Sequence, residues 1–311
     1  MASTLPGVAA ASPPVLLWGA AAVVLTTARA APPTAPAIPK TAMNGRVKRP
    51  TVKANPPDHT QSPTEADTFT LSHGTNTLRA ISVPAPPVYD PGGPVCLVEE
   101  WSGDEALLAE AEQTAAERGT VLVRVVCPHA DQSRAKLLTR RGYAVASEWY
   151  TAPLPLHGAP SRQGTRPLTV ADVPRVLELG EQKRREYEAY SPVFWRMSPL
   201  PRRTFAPYMR AQIADAHNVA LAHEQGGRVD GFVLTSSRGY IDDFAVAAPQ
   251  LWPTVGADLL LAAGAAAHQR SINSLLVVCG HGDKPKRAML AAQGLTLATD
   301  WYVKPVLPEK N

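Results

Sequence analysis

With 311 residues and 45% apolar side chains, the chain can hold two domains of ordinary size or one domain with a long tail, and it can bury a sizeable core. Its formal charge of +4 is mild and spread out, so nothing in it demands a nucleic-acid partner. The three cysteines (Cys96, Cys127 and Cys279) are an odd number in apolar, strand-like runs, which points to buried thiols in a reducing compartment rather than a disulfide framework.

Residues 1–67 are dominated by Pro, Ala, Thr and Ser, with a basic stretch from Arg46 to Lys53. That composition buries too little apolar surface to offset chain entropy, so this segment is expected to be disordered. Within it, Val15 to Leu25 has the length of a signal-peptide core and precedes Ala28-Arg29-Ala30, which would mean export. No Lys or Arg precedes the run, however, and the alternative reading starts translation at Met43 and keeps the protein in the cytoplasm. The run is too short to span a membrane, and no membrane partner is expected.

From Thr68 the chain reads as folded. Short strands are expected at Phe69–Leu71, Thr77–Val83 and Val95–Val98, followed by a helix over Asp104–Arg118 that Gly119 stops. Thr120–Cys127 is a β-branched strand, Gln132–Arg141 a helix ended by Gly142, and Tyr143–Tyr150 a strand. Pro153 to Gln163 is a linker. Beyond it come a strand at Arg166–Val170, helices at Ala171–Tyr190 and Phe205–Ala216, and a hairpin of Val219–His223 and Val229–Ser236 across Gly226-Gly227.

The C-terminal half repeats the first. Adding 152 carries Leu107 onto Leu259, Cys127 onto Cys279, His129 onto His281, Asp131 onto Asp283, Gly142 onto Gly294, and Trp149-Tyr150 onto Trp301-Tyr302. One ungapped register over so many distinctive residues marks a duplicated helix–strand–helix–strand unit. Residues shared by both copies, His129 and His281 among them, are expected to be structural.

The second copy is preceded by Tyr240 to Gly264, YIDDFAVAAPQLWPTVGADLLLAAG. A strand, a turn marked by Pro249 and Pro253, and a glycine at a helix start place free N–H groups and a partly positive dipole end where an anion can bind. This stretch resembles the acyl-CoA-binding strand, loop and helix of the GNAT acetyltransferases, whose loop reads Q/R-x-x-G-x-G/A. Leu251 to Gly256 occupy those positions. Gly256 matches, while Thr254 stands for the first glycine and Leu251 for the Gln or Arg.

The resemblance implies an α/β fold with a mixed sheet, built as a tandem GNAT-like chain: a tail over 1–67, a degenerate partial unit over 68–154 and a complete GNAT unit over 164–311. It implies acetyl-CoA as co-substrate and direct transfer of the acetyl group to an amine of a small molecule or peptide, with no metal. Phe244, Ala245 and Val246 would present backbone to the pantetheine arm, and Thr254, Val255, Gly256, Ala257 and Asp258 would surround the pyrophosphate. Asp242 and Asp243 are the candidate bases, and strand alternation lets only one of them face the cleft. Two departures stand out: Leu290 lies where many GNAT enzymes carry the Tyr that protonates the thiolate, and Asp283 where an Asn is usual. The first copy has only Glu99 to Asp104 between strand and helix, too short and acidic to cradle a pyrophosphate. The alternative function is a catalytically inactive GNAT-fold binding or regulatory module.

Overall fold

The computed structural model describes residues 68–85, 88–161, 163–199 and 201–306. The tail over 1–67, with its apolar run and Met43, lies outside the described residues. Among those described, no helix is long and apolar enough to cross a membrane.

The first half comprises β1 (Thr68–His73), β2 (Asn76–Val83), β3 (Val95–Trp101), α1 (Glu105–Glu117), β4 (Leu122–Pro128), α2 (Gln132–Arg140) and β5 (Ala144–Pro153). The second comprises β6 (Thr165–Pro167), α3 (Val173–Tyr190), α4 (Pro201–Ala214), β7 (Val219–Gln225), β8 (Arg228–Thr235) and β9 (Tyr240–Val246). After these come α5 (Ala257–Gln269), β10 (Ser274–Gly280), α6 (Lys284–Ala292) and β11 (Thr296–Pro305).

Under the shift of 152 the bounds of α1, β4, α2 and β5 fall on those of α5, β10, α6 and β11. The repeat extends to the caps. Asp131 accepts from the Arg134 N–H at the start of α2, and Asp283 accepts from the Lys286 N–H at the start of α6. Gly142 and Gly294, with φ of +83° and +80°, follow these helices in a backbone conformation that side chains rarely adopt.

Among the described residues, the strands join one 11-stranded mixed sheet in the order β1-β2-β3-β4-β11-β5-β10-β9-β8-β7-β6. The two halves exchange their last strands: β11 lies between β4 and β5, and β5 lies between β11 and β10. Every pairing at this seam is antiparallel, and repeat mates meet across it. The rings of Trp149 and Trp301 are 4.6 Å apart, a contact worth about 0.5–1.5 kcal/mol beyond their burial. On this face they pack with Tyr187, Phe194 and Trp195. Their neighbours Tyr150 and Tyr302 point the other way, Tyr150 into the core shared with α5 and α6, Tyr302 into that shared with α1 and α2. The three cysteines are free and buried.

Candidate active site

β9 pairs in parallel with β10 only through Leu276–Tyr240 and Val277–Ile241. Beyond Ile241 the two strands separate. On its other edge β9 pairs with β8 through a register shift, because Val233–Phe244 and Thr235–Ile241 leave one extra residue on β9. A bulge therefore holds Asp242 and Asp243, and bulges re-aim side chains near sites.

Asp243 is directed at α3. Its Oδ1 lies 3.6 Å from Nη2 of Arg184, with both side chains almost buried (12% and 8% exposed). Burial raises the Asp243 pKa above the ordinary carboxylate value, against the opposing pull of Arg184, a hydrogen bond from Tyr208 and the charge of Lys286. Arg184 stacks on Phe205, its guanidinium carbon 3.8 Å from the ring centre. Gly180, one turn earlier, makes room: a Cβ there would stand 3.2 Å from Nη1 of Arg184. A cavity of about 40 Å³ opens between α3 and β9, lined among others by Lys183, Arg184, Tyr187, Phe205, Asp243 and Phe244.

The separating ends of β9 and β10 are bridged by other side chains. The register of the pair would give the Val278 carbonyl to an N–H of β9 if pairing continued; instead the buried Lys286 ammonium donates to it at 2.8 Å. Trp252, buried, packs edge-on against Phe244 with ring centres 4.8 Å apart. The ammonium groups of Lys183 and Lys286 lie 5.2 and 5.4 Å from the Trp252 ring. Lys183 is held in turn by Asp283 at 2.6 Å and Glu186 at 2.9 Å. Burial disfavours the Lys183 charge, but these two carboxylates outweigh it and raise its pKa.

The segment after β9 is helical from Pro249 onward, through a 3-10 turn at Pro249–Leu251 and a π-turn at Trp252–Gly256 into α5. Of the residues expected around a pyrophosphate, Thr254, Val255 and Gly256 lie in the π-turn, and Ala257 and Asp258 open α5. The Ala257 N–H is donated to the carbonyls of Trp252 and Thr254. Asp258 accepts from the Ser161 N–H at 3.2 Å. Gly256 has a packing role, since a Cβ there would stand 2.5 Å from Cε3 of Trp252. The Ala257 N–H is thus taken up inside the helix and is not offered to a diphosphate. The helix begins upstream of the sequence expectation because two prolines set helical φ at Pro249 and Pro253. In the first half the repeat mate of Gly256 is Asp104, which occupies the start of α1 by accepting from the N–H groups of Ala106 and Leu107.

Among solved structures, the chain is similar to a GCN5-related N-acetyltransferase from Sphaerobacter thermophilus, with a TM-score of 0.51 and 12% identity over 75% of this chain and 78% of that one. The fold is the GNAT fold. A tandem GNAT protein from the clavulanic acid biosynthesis pathway also matches, at a TM-score of 0.45 and 15% identity over 79% of this chain and 86% of that one. So does a GCN5-related N-acetyltransferase from Kribbella flavida, at 0.48 and 9% over 78% and 90%. No protein-family model and no curated protein sequence matches the chain.

Within this GNAT fold, Asp243 and Phe244 both border the cavity, as does Ala245, while Val246 ends the strand. Leu290 is fully buried in the apolar core around α5 and α6. Sequence reasoning left Lys183, Trp252 and Lys286 out of the site, and it read Arg184, in the segment that walls the acceptor site, as part of a solvated face. A signal for two of them existed: Val173, Val176, Leu177 and Gly180 mark the buried stripe of α3, and Lys183, Arg184 and Tyr187 continue it. Cations on an apolar stripe need partners, and that points to a site.

Proposed function

We propose that this protein transfers an acyl group, taken to be acetyl from acetyl-CoA, to an amine at the point where β9 leaves β10, and that it works in the cytoplasm. The observation that carries this reading is Asp243, a buried carboxylate with a raised pKa, set in a strand bulge and facing a cavity. An acyl-CoA thioester supplies an acyl carbonyl that an amine attacks with loss of thiolate. The amine must first lose a proton, and a carboxylate whose pKa burial has raised holds that proton better than an exposed one. A hydrogen bond from Tyr208 holds the Asp243 carboxylate, and the Arg184 guanidinium faces it at 3.6 Å. Phe244, Ala245 and Val246 offer the strand backbone that leaves β10. Leu290 has no proton to give, so the thiolate takes one from water or leaves as the anion.

A second reading has its own support. Trp252, Lys183 and Lys286 stand between the diverging strands, and the Ala257 N–H is engaged in helix. A GNAT-fold module that binds an amine ligand without turnover fits those contacts. Titration of the full chain with acetyl-CoA, followed by release of free thiol with a panel of amines, separates the two. Amine-dependent thiol release is expected. A chain that neither binds acetyl-CoA nor releases thiol with any amine overturns the first reading in favour of the second.

A further inference from the structure

We infer that the amine accepted at this cavity carries a carboxylate beside it, as an α-amino acid bound as its zwitterion; this deepens the acyl-acceptor reading above and rests on it. The evidence is an imbalance between two neighbouring cations. Lys183 is matched by Asp283 and Glu186 at 2.6 and 2.9 Å. Arg184, only 6% exposed, is not matched in that way. Among the described side chains its guanidinium meets one carboxylate, Asp243, at 3.6 Å, which is beyond hydrogen-bond distance, and otherwise the ring of Phe205.

A guanidinium carries five donors in a planar fork that a carboxylate matches with two parallel bonds. Arg184 lines the cavity, and among the described residues no hydrogen bond takes up those donors. An anion alone would meet repulsion from Asp243, and an ammonium alone would meet it from Arg184. A zwitterion meets neither, because its ammonium can lie against Asp243 and its carboxylate against Arg184, antiparallel to the protein's own pair. Room for about three waters admits such a head group. The apolar wall of Val88, Phe205, Phe232 and Phe244 offers nothing to a more highly charged ligand.

The test is a binding titration of the full chain without any acyl-CoA, using glycine, its methyl ester, and acetate as probes. Glycine should bind, and the ester and acetate should each bind about 10- to 100-fold more weakly, since each lacks one charged partner. Arg184→Gln should remove the preference for glycine over the ester. Arg184→Lys, which keeps the charge and loses the fork, should weaken glycine binding while the fold survives. Equal binding of glycine and its ester, or no binding of glycine at millimolar concentration, overturns the inference. Thiol release from acetyl-CoA is read separately, so glycine binding without turnover would sink the acyl-transfer reading and leave the head-group site standing.

Discussion

Nδ1 of His281 lies 2.7 Å from Oε1 of Glu148, so the end of β10 is tied to a strand that belongs, by sequence, to the other half of the chain. Glu148 is buried; it is also ion-paired with Arg287 at 2.7 Å and accepts from the Tyr150 hydroxyl at 2.9 Å. The repeat mates do the same on the opposite side, with Nδ1 of His129 2.8 Å from Oδ2 of Asp300. Two histidines therefore fasten the exchanged strands at equivalent points.

An asymmetry in stability follows. Glu148 is buried, whereas the His281 and Arg287 side chains are 49% and 34% exposed. Removing the carboxylate leaves two groups that water can solvate. Removing both partners leaves a buried carboxylate short of donors, at about 1–3 kcal/mol or more. The double variant His281→Ala with Arg287→Ala should thus melt lower than Glu148→Gln, as read by thermal denaturation at neutral pH. The reverse order would contradict a seam organised around Glu148.

The exchange also governs how the halves fold. Units over 68–154 and 164–311 are proposed as complementary pieces, because β5 supplies the strand between β10 and β11, and β11 supplies the strand between β4 and β5. Expressed apart, each should show weak near-ultraviolet circular dichroism and poor amide protection, and mixing them should restore both in a one-to-one complex. Two independently folded fragments that ignore each other would contradict this.

The repeat was legible in the residues because special side chains keep one register, and the order strand, turn, helix across Tyr240 to Gly264 was legible for the same reason. Which half each final strand would join was not. Trp149-Tyr150 and Trp301-Tyr302 are interchangeable in character, so pattern alone cannot separate pairing with β4 from pairing with β10. Gly256 was the residue most open to misreading: one glycine at a helix start has the same letter whether it makes room for a phosphate or for an indole.

Gly256→Ala tests which of these it does. In an ordinary helical site, alanine stabilises by up to about 1 kcal/mol relative to glycine. Here the new Cβ would stand 2.5 Å from Trp252, so the indole must move, and overpacking of this kind costs about 1–3 kcal/mol. The melting temperature should fall, with a change in the near-ultraviolet signal of Trp252. A rise in melting temperature would mean that Trp252 does not rest on this position.

Asp243→Asn joins stability and chemistry in one variant. Burial raises the folded-state pKa of Asp243 above its unfolded value. Below the unfolded pKa, near 4, both states hold the proton and the group has no effect on stability. As pH rises from there toward the folded pKa, the unfolded state releases the proton first, and the fold loses stability across that window. Asparagine cannot titrate, so the parent should lose melting temperature relative to Asp243→Asn as pH rises from about 4 toward neutrality. If Asp243 receives the proton of the amine, the same variant should turn over about 10²–10⁴-fold more slowly. That loss should ease at high pH, where the amine is already neutral. Paired measurements of melting temperature and thiol release across pH decide it. A variant with the expected stability trend and full turnover would leave Asp243 as a buried carboxylate without a role in proton transfer. A flat difference in melting temperature would remove the raised pKa on which its assignment as a base depends.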